Sequence, residues 1–125
     1  MRIKHGQSFT WSKSFTHDDI HAFTRISGDE GEHHVIPDSK GRLMVQGLLT
    51  ATLPSKIGGE INFIANEMHF HFLLPVFTGD VITCVVRIDE VEALPGRMKV
   101  SCRWECMNQH GDLVMDGSSS GIIRT

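Results

Sequence analysis

The chain has no excess of positive charge, no long apolar run and few cysteines, and each of these shortages excludes something. Acidic residues outnumber basic ones, 15 to 12, for a formal charge of -3. Lys and Arg are scattered rather than clustered, so there is no basic field for nucleic acid or for a polyanionic membrane surface. No apolar stretch approaches the ~20 residues of a membrane-spanning helix. The amino terminus, MRIKHGQSF, lacks the apolar centre of a signal peptide. The expectation is a cytoplasmic protein with no membrane insertion and no nucleic-acid partner. The three cysteines cannot all pair, and none forms a C-x-x-C. Cys102 and Cys106 fall on one face of a predicted strand, about 13 Å apart at ~3.3 Å per residue. That is too far for a disulfide, so all three read as buried thiols in a reducing compartment. Repeats, linkers and low-complexity segments are absent, and 125 residues suit one domain over 1–125.

What is present is organised around residues 28–57, GDEGEHHVIPDSKGRLMVQGLLTATLPSKI. A tight acidic turn carries Asp29 and, five residues on, His34. A loop punctuated by Pro37 and Gly41 follows. From Leu43 the pattern turns helical, with Val45, Leu48, Leu49, Leu53 and Ile57 apolar almost all round, as in a buried helix. Pro54 is expected to bend this helix near its middle, and Gly58-Gly59 to end it. A carboxylate and an imidazole ahead of a glycine-led helix supply the parts for proton transfer beside a developing anion.

Before this stretch, residues 7–15 alternate as a first strand with Phe9, Trp11 and Phe15 on one parity. Thr16 to Asp19 has the form of a capping box. The helix it starts turns Ile20, Phe23 and Ile26 inward, has Arg25 in its last turn and ends at Ser27-Gly28. After the stretch come four strand-like runs. Met68, Phe70, Phe72 and Leu74 share a face, as do Ile82, Cys84, Val86 and Ile88. Val100, Cys102, Trp104 and Cys106 form the cleanest period-2 pattern, and the last run holds 113–115 and then 121–123. Turn residues at 78–80, 94–96 and 109–112 separate them. Antiparallel hairpins with one apolar face against a helix make the fold class α+β. The Phe70/Phe72 face reads as core.

The order of elements and four segments carry a resemblance. The segments are Phe15-Thr-His-Asp-Asp-Ile-His-Ala-Phe23, Ile26-Ser-Gly-Asp29 with His34, Gln46-Gly-Leu-Leu49, and Phe72-Leu-Leu-Pro-Val-Phe-Thr-Gly-Asp80. Together they resemble the hot-dog fold and, within it, the MaoC-type (R)-specific enoyl-CoA hydratases and acyl dehydratases. The resemblance implies a single hot-dog domain, an antiparallel sheet wrapped round a long central helix, working as a homodimer or higher homo-oligomer. It implies a hydro-lyase that converts a trans-2-enoyl thioester of coenzyme A or acyl carrier protein reversibly to a (R)-3-hydroxyacyl thioester, with no metal or redox cofactor. Asp29 and His34 are then the catalytic pair. The Gly47 amide holds the thioester oxygen, with Gln46 and Ser55 as further oxyanion or substrate-binding residues.

The chain departs from that family where Gly31-Glu32 replaces the usual Asn-Pro, where Gln46 replaces the usual His, and in a short loop over 35–45. Gly31 is expected to loosen the catalytic turn, and Glu32 to favour the imidazolium of His34. Two alternatives follow: a thioesterase on the same fold, and a non-catalytic acyl-thioester binder or subunit. His17 and His21 have the i, i+4 spacing of paired zinc ligands, but Asp18 stands where such motifs carry Glu and no third ligand is placed, so they read as a solvated face. His69 and His71 share one strand face, beside a neighbouring subunit or the substrate channel.

Overall fold

The computed structural model describes residues 3–125. In chain order the elements are β1 (Ser8–Ser14), α1 (His17–Ser27), α2 (Glu32–Val35), α3 (Gly47–Thr50), α4 (Thr52–Glu60), β2 (Phe63–Phe72), β3 (Val81–Leu94), β4 (Arg97–Met107) and β5 (Leu113–Arg124). The strands form one antiparallel sheet in the order β1-β3-β4-β5-β2. Alternation in β3 and β4 sends Ile82, Cys84, Val86 and Ile88, with Val100, Cys102, Trp104 and Cys106, to one buried face. Helix α4 lies on that face with Leu53 and Ile57 buried. The architecture is the α+β arrangement expected from the sequence.

Helix α1 begins and ends on local chemistry. The Thr16 hydroxyl accepts the Asp19 N–H, while the Asp19 carboxylate accepts the Thr16 N–H, which satisfies two free helix donors at once. At the other end Gly28 adopts φ +76° and donates its N–H to the Thr24 carbonyl at 2.9 Å. Ile20 is buried and Phe23 half-buried, but Ile26 is 83 % exposed. Its inward placement is corrected: the last turn of α1 leaves this side chain in solvent.

The central helix starts later than its apolar pattern implies. Residues 43–45 are extended instead: Met44 bridges Phe77, and the Val45 N–H donates to the Val76 carbonyl. Leu43 and Val45 are nonetheless buried, because an apolar run satisfies a buried extended segment as well as a helix. Leu48 is 62 % exposed, so the helix is not apolar all round in its surroundings. The discontinuity attributed to Pro54 falls at Ala51, between α3 and α4, and Pro54 sits in the first turn of α4. A proline without an N–H is tolerated there, and its missing donor faces the preceding turn. Gly58 and Gly59 do not end the helix; it runs to Glu60, and Asn62 at φ +57° makes the turn.

Strand β2 begins at Phe63, before its alternating part, and β5 is one continuous strand through Gly117 and Gly121. As an edge strand β2 is covered on one side only. Phe70 is half-buried against Trp104, ring centroids 5.4 Å apart, but Phe72 is 52 % exposed, which corrects its assignment to the core. Gly117 is what lets Trp104 lie across β5. A Cβ there would meet the His69 carbonyl oxygen at 2.2 Å and Trp104 Cζ2 at 2.6 Å. Gly117→Ala is therefore expected to cost about 1–3 kcal/mol through overpacking. A chemical-denaturation midpoint equal to that of the wild type would contradict this account of Trp104.

All three cysteines are free and buried. Cys84 and Cys106 are register partners on adjacent strands. A hydrogen bond with Cys106, reinforced by burial, pushes the Cys84 thiol far above its usual range. Burial, aided by the Asp89 charge, pushes Cys102 up to about 11. Cys84 and Cys102 thus stay neutral, and all three buried side chains pack as small apolar groups.

Candidate active site

The left-handed turn at Gly28 throws the chain out of α1 and presents Asp29. The Ser27 hydroxyl accepts the Asp29 N–H at 3.0 Å, and Asp29 Oδ1 accepts the Gly31 N–H at 3.1 Å. This carboxylate-to-backbone turn orients Asp29 without a proline. These two bonds hold the turn at Gly31 in place of a proline. Gly31 is also crowded: a Cβ would meet His33 Cε1 at 2.9 Å and His34 Cδ2 at 3.3 Å. The next turn, α2, brings His34 back over Asp29, and the His34 N–H closes on the Gly31 carbonyl at 2.8 Å.

His34 is buried, and its two ring nitrogens face different groups. Nδ1 lies 2.7 Å from the Met44 carbonyl. A carbonyl only accepts, so Nδ1 carries a proton and the lone pair of the neutral ring is on Nε2. Nε2 faces Asp29 Oδ2 at 3.5 Å, with the Asp29 side chain half-exposed. At that distance the two acceptors lie close enough for one water beside them to be within hydrogen-bond reach of both. Glu32 forms no ion pair with His34 among the described residues, so the favoured imidazolium expected from Glu32 has no contact behind it.

The carbonyl that fixes His34 is itself held by the Pro75-to-Asp80 turn. The Asp80 carboxylate accepts the Phe77 N–H, the Thr78 hydroxyl accepts the Leu43 N–H, and the Thr78 N–H donates to the Leu43 carbonyl. Met44 N–H in turn donates to the His33 carbonyl. The turn motif thus acts at a distance, through residues 43–45, on the tautomer of His34.

Gly47 opens α3 on the same cleft, a space of about 350 Å³ bounded by His33, His34, Gly47, Thr50, Phe72 and Val76. Its N–H has no acceptor among the described residues, as the first residue of a helix has none within the helix. Leu49 and Thr50 donate instead to the Gln46 carbonyl. The Phe72 ring rests on Gly47, since a Cβ there would come within 3.0 Å of it.

The remaining expected site residues lie elsewhere. The Gln46 side chain is buried and turned towards α1, away from the cleft, because its amide bonds to that helix. Ser55 borders a different cavity, about 220 Å³ between α4 and the sheet, and its hydroxyl donates to the Ala51 carbonyl at 3.3 Å. It is one helical turn back-bonded, as serine in a helix commonly is. His69 and His71 are exposed and paired with Glu67 and Asp116 at 2.7 and 2.8 Å, on the sheet rather than at the cleft. His17 and His21 stand exposed with ring centroids 6.5 Å apart. Among the described residues no helix is long and apolar enough to cross a membrane.

No family model matches the chain. Whole-length similarities do exist. The (R)-specific enoyl-CoA hydratase of Rhodospirillum rubrum is 27% identical over 131 residues, 97% of this chain and 88% of that protein. The mitochondrial 3-hydroxyacyl-[acyl-carrier-protein] dehydratase of Arabidopsis thaliana is 25% identical over 129 residues, 97% of this chain and 78% of that protein. The solved (R)-hydratase from A. caviae superposes with a TM-score of 0.85 at 25% identity, covering 98% of each chain. The fold is the hot-dog fold, and the chain is similar to MaoC-type hydratases and dehydratases. The fold expected from the resemblance holds, and these similarities run to the same group of hydratases and dehydratases. Gln46 and Ser55 are the residues whose geometry parts from the resemblance. Met44, which fixes the His34 tautomer, was not legible because a backbone carbonyl leaves no mark in side-chain identity.

Proposed function

We propose that this domain adds water reversibly across a trans-2-enoyl thioester, of coenzyme A or acyl carrier protein, to give a (R)-3-hydroxyacyl thioester. The observation that carries the reading is the facing of His34 Nε2 and Asp29 Oδ2 at 3.5 Å, with His34 lining a cleft that Gly47 also borders. A water lying beside the pair, within hydrogen-bond reach of both acceptors, is aimed by both. One of the pair removes a proton as the water oxygen bonds to the β-carbon. The double-bond electrons move to the thioester oxygen, giving an enolate that the free Gly47 N–H stabilises. A proton returned to the α-carbon completes the addition. One group must be basic while the other is acidic, and the pair divides those roles. The steps are proton transfers and an oxyanion contact, so the reading calls for no metal or redox cofactor.

The working unit on this reading is a homodimer in the cytoplasm. Strand β2 leaves one sheet edge open and displays Ile64, Met68 and Phe72, the kind of edge a second copy covers. Three free thiols agree with a reducing compartment. Mixing the protein with short and medium trans-2-enoyl-CoA should bleach the ultraviolet absorbance of the conjugated thioester and yield the (R)-hydroxy product. Release of free thiol instead would make it a thioesterase. Binding with neither change would make it a carrier or partner subunit.

A further inference from the structure

Gln46 is an unusual residue to find where it is. It is 1 % exposed, its Nε2 donates to the Thr24 hydroxyl at 3.0 Å and towards the Ile20 carbonyl at 3.4 Å, and its Oε1 is enclosed without a partner among the described residues. The Ile20 carbonyl only accepts, which sets the amide with nitrogen towards α1. A buried amide with one end unsatisfied is costly, and an apolar side chain of the same length would serve a purely packing role better.

Its connections run to both halves of the proposed site. Thr24, which takes the Gln46 amide on its hydroxyl, takes the Gly28 N–H on its carbonyl at 2.9 Å, and Asp29 follows Gly28. Along its own backbone Gln46 precedes Gly47, and its carbonyl accepts the N–H groups of Leu49 and Thr50 at 3.0 Å each. One side chain therefore ties the end of α1, which aims Asp29, to the first turn of α3, which aims the Gly47 N–H. Those two elements are not otherwise neighbours in sequence or in the sheet.

We infer that Gln46 is a positioning residue, a buried strut that fixes the spacing between the Asp29 carboxylate and the Gly47 oxyanion donor. The inference rests on the hydratase reading for its consequence in rate but not for the coupling itself. A misplaced donor weakens the transition state more than the bound substrate, so the cost belongs in kcat and not in KM.

The test is a double-mutant cycle of Gln46→Met and Thr24→Val, both close in size to the native residue, assayed at a temperature where thermal melts show each variant fully folded. Gln46→Met is expected to lower kcat roughly 10- to 100-fold with KM nearly unchanged. Thr24→Val should fall in the same direction, and the double mutant should be little worse than Gln46→Met alone. In parallel, amide nitrogen shifts of Gln46→Met should move at Asp29 and Gly31 as well as at Gly47 and Leu48. A folded Gln46→Met with wild-type kcat overturns the role in positioning, as do shifts confined to the neighbours of residue 46. If the wild type itself shows no hydration, the hydratase reading fails by that result, and the shifts at Asp29 and Gly31 still decide the strut.

Discussion

Asp29→Asn and His34→Ala are each expected to lower turnover of a trans-2-enoyl thioester by at least about 100-fold, the lower bound for losing one general acid or base. The reason lies in how the pair meets the water. With Nδ1 committed to the Met44 carbonyl and Nε2 facing Asp29 Oδ2 at 3.5 Å, the proposed hydration needs both residues to aim its water. Asp29→Asn keeps the side chain's shape and its acceptor for the Gly31 N–H but removes the charge. His34→Ala removes the second acceptor altogether. Groups that act as a unit are grossly non-additive, so the double mutant should be scarcely slower than the slower single one. The two differ in stability. Asp29 is half-exposed, and its substitution should leave the melt almost unchanged. His34→Ala leaves the Met44 carbonyl without its partner inside the protein, at a cost of about 1–3 kcal/mol, so rates must be compared where that variant is still folded. Near-full activity in either single mutant would remove both residues from the chemistry.

How much of this was legible beforehand followed the range of the interactions involved. The Thr16–Asp19 capping box and the Gly28 stop are written within four residues, and both stand as read. The Asp29-to-His34 spacing is also local, closed by one turn of helix, and the two side chains do meet. The start of the central helix was misplaced because Leu43 and Val45 are buried by a partner thirty residues away, the turn at 75–77, which no periodicity in 43–45 can announce. Phe72 has the alternation of a core residue, and its exposure follows from β2 being an edge, a property of strand order. The last run read as 113–115 and then 121–123 is one strand, β5, that continues through Gly117 and Gly121. Both glycines are there for close approach, of Trp104 with the His69 carbonyl and of the Ile64 carbonyl respectively, and not to end a strand. Gln46 sits beside the residue that the resemblance makes the oxyanion donor. Its side chain goes the other way because two acceptors on α1 outcompete the cleft for its amide.

Gly47 is where the fold and the proposed chemistry make opposite demands on one atom. At the first position of a helix an alanine or valine is conformationally acceptable, so folding alone does not require glycine there. The cleft does. A Cβ at 47 would stand 3.0 Å from Phe72 Cε1 and 3.2 Å from Cδ1, and the branches of a valine would reach into the space where the thioester oxygen must approach the N–H. Phe72 is half-exposed at the end of an edge strand, so its ring can swing outward and relieve the clash without disturbing the core. Gly47→Val should therefore lose roughly 100- to 1,000-fold in kcat, the measured range for removing one oxyanion donor, while its melting temperature stays within a few degrees of the wild type. Gly47→Ala should fall between, and adding Phe72→Ala to it should return part of the activity if crowding by the ring is the cause. A Gly47→Val protein that hydrates at the wild-type rate would mean the enolate forms elsewhere, whereas one that no longer folds would mean the glycine is kept for packing against Phe72. Mutating Phe72 alone separates these cases, since Phe72→Ala opens the cleft and leaves the Gly47 N–H where it is.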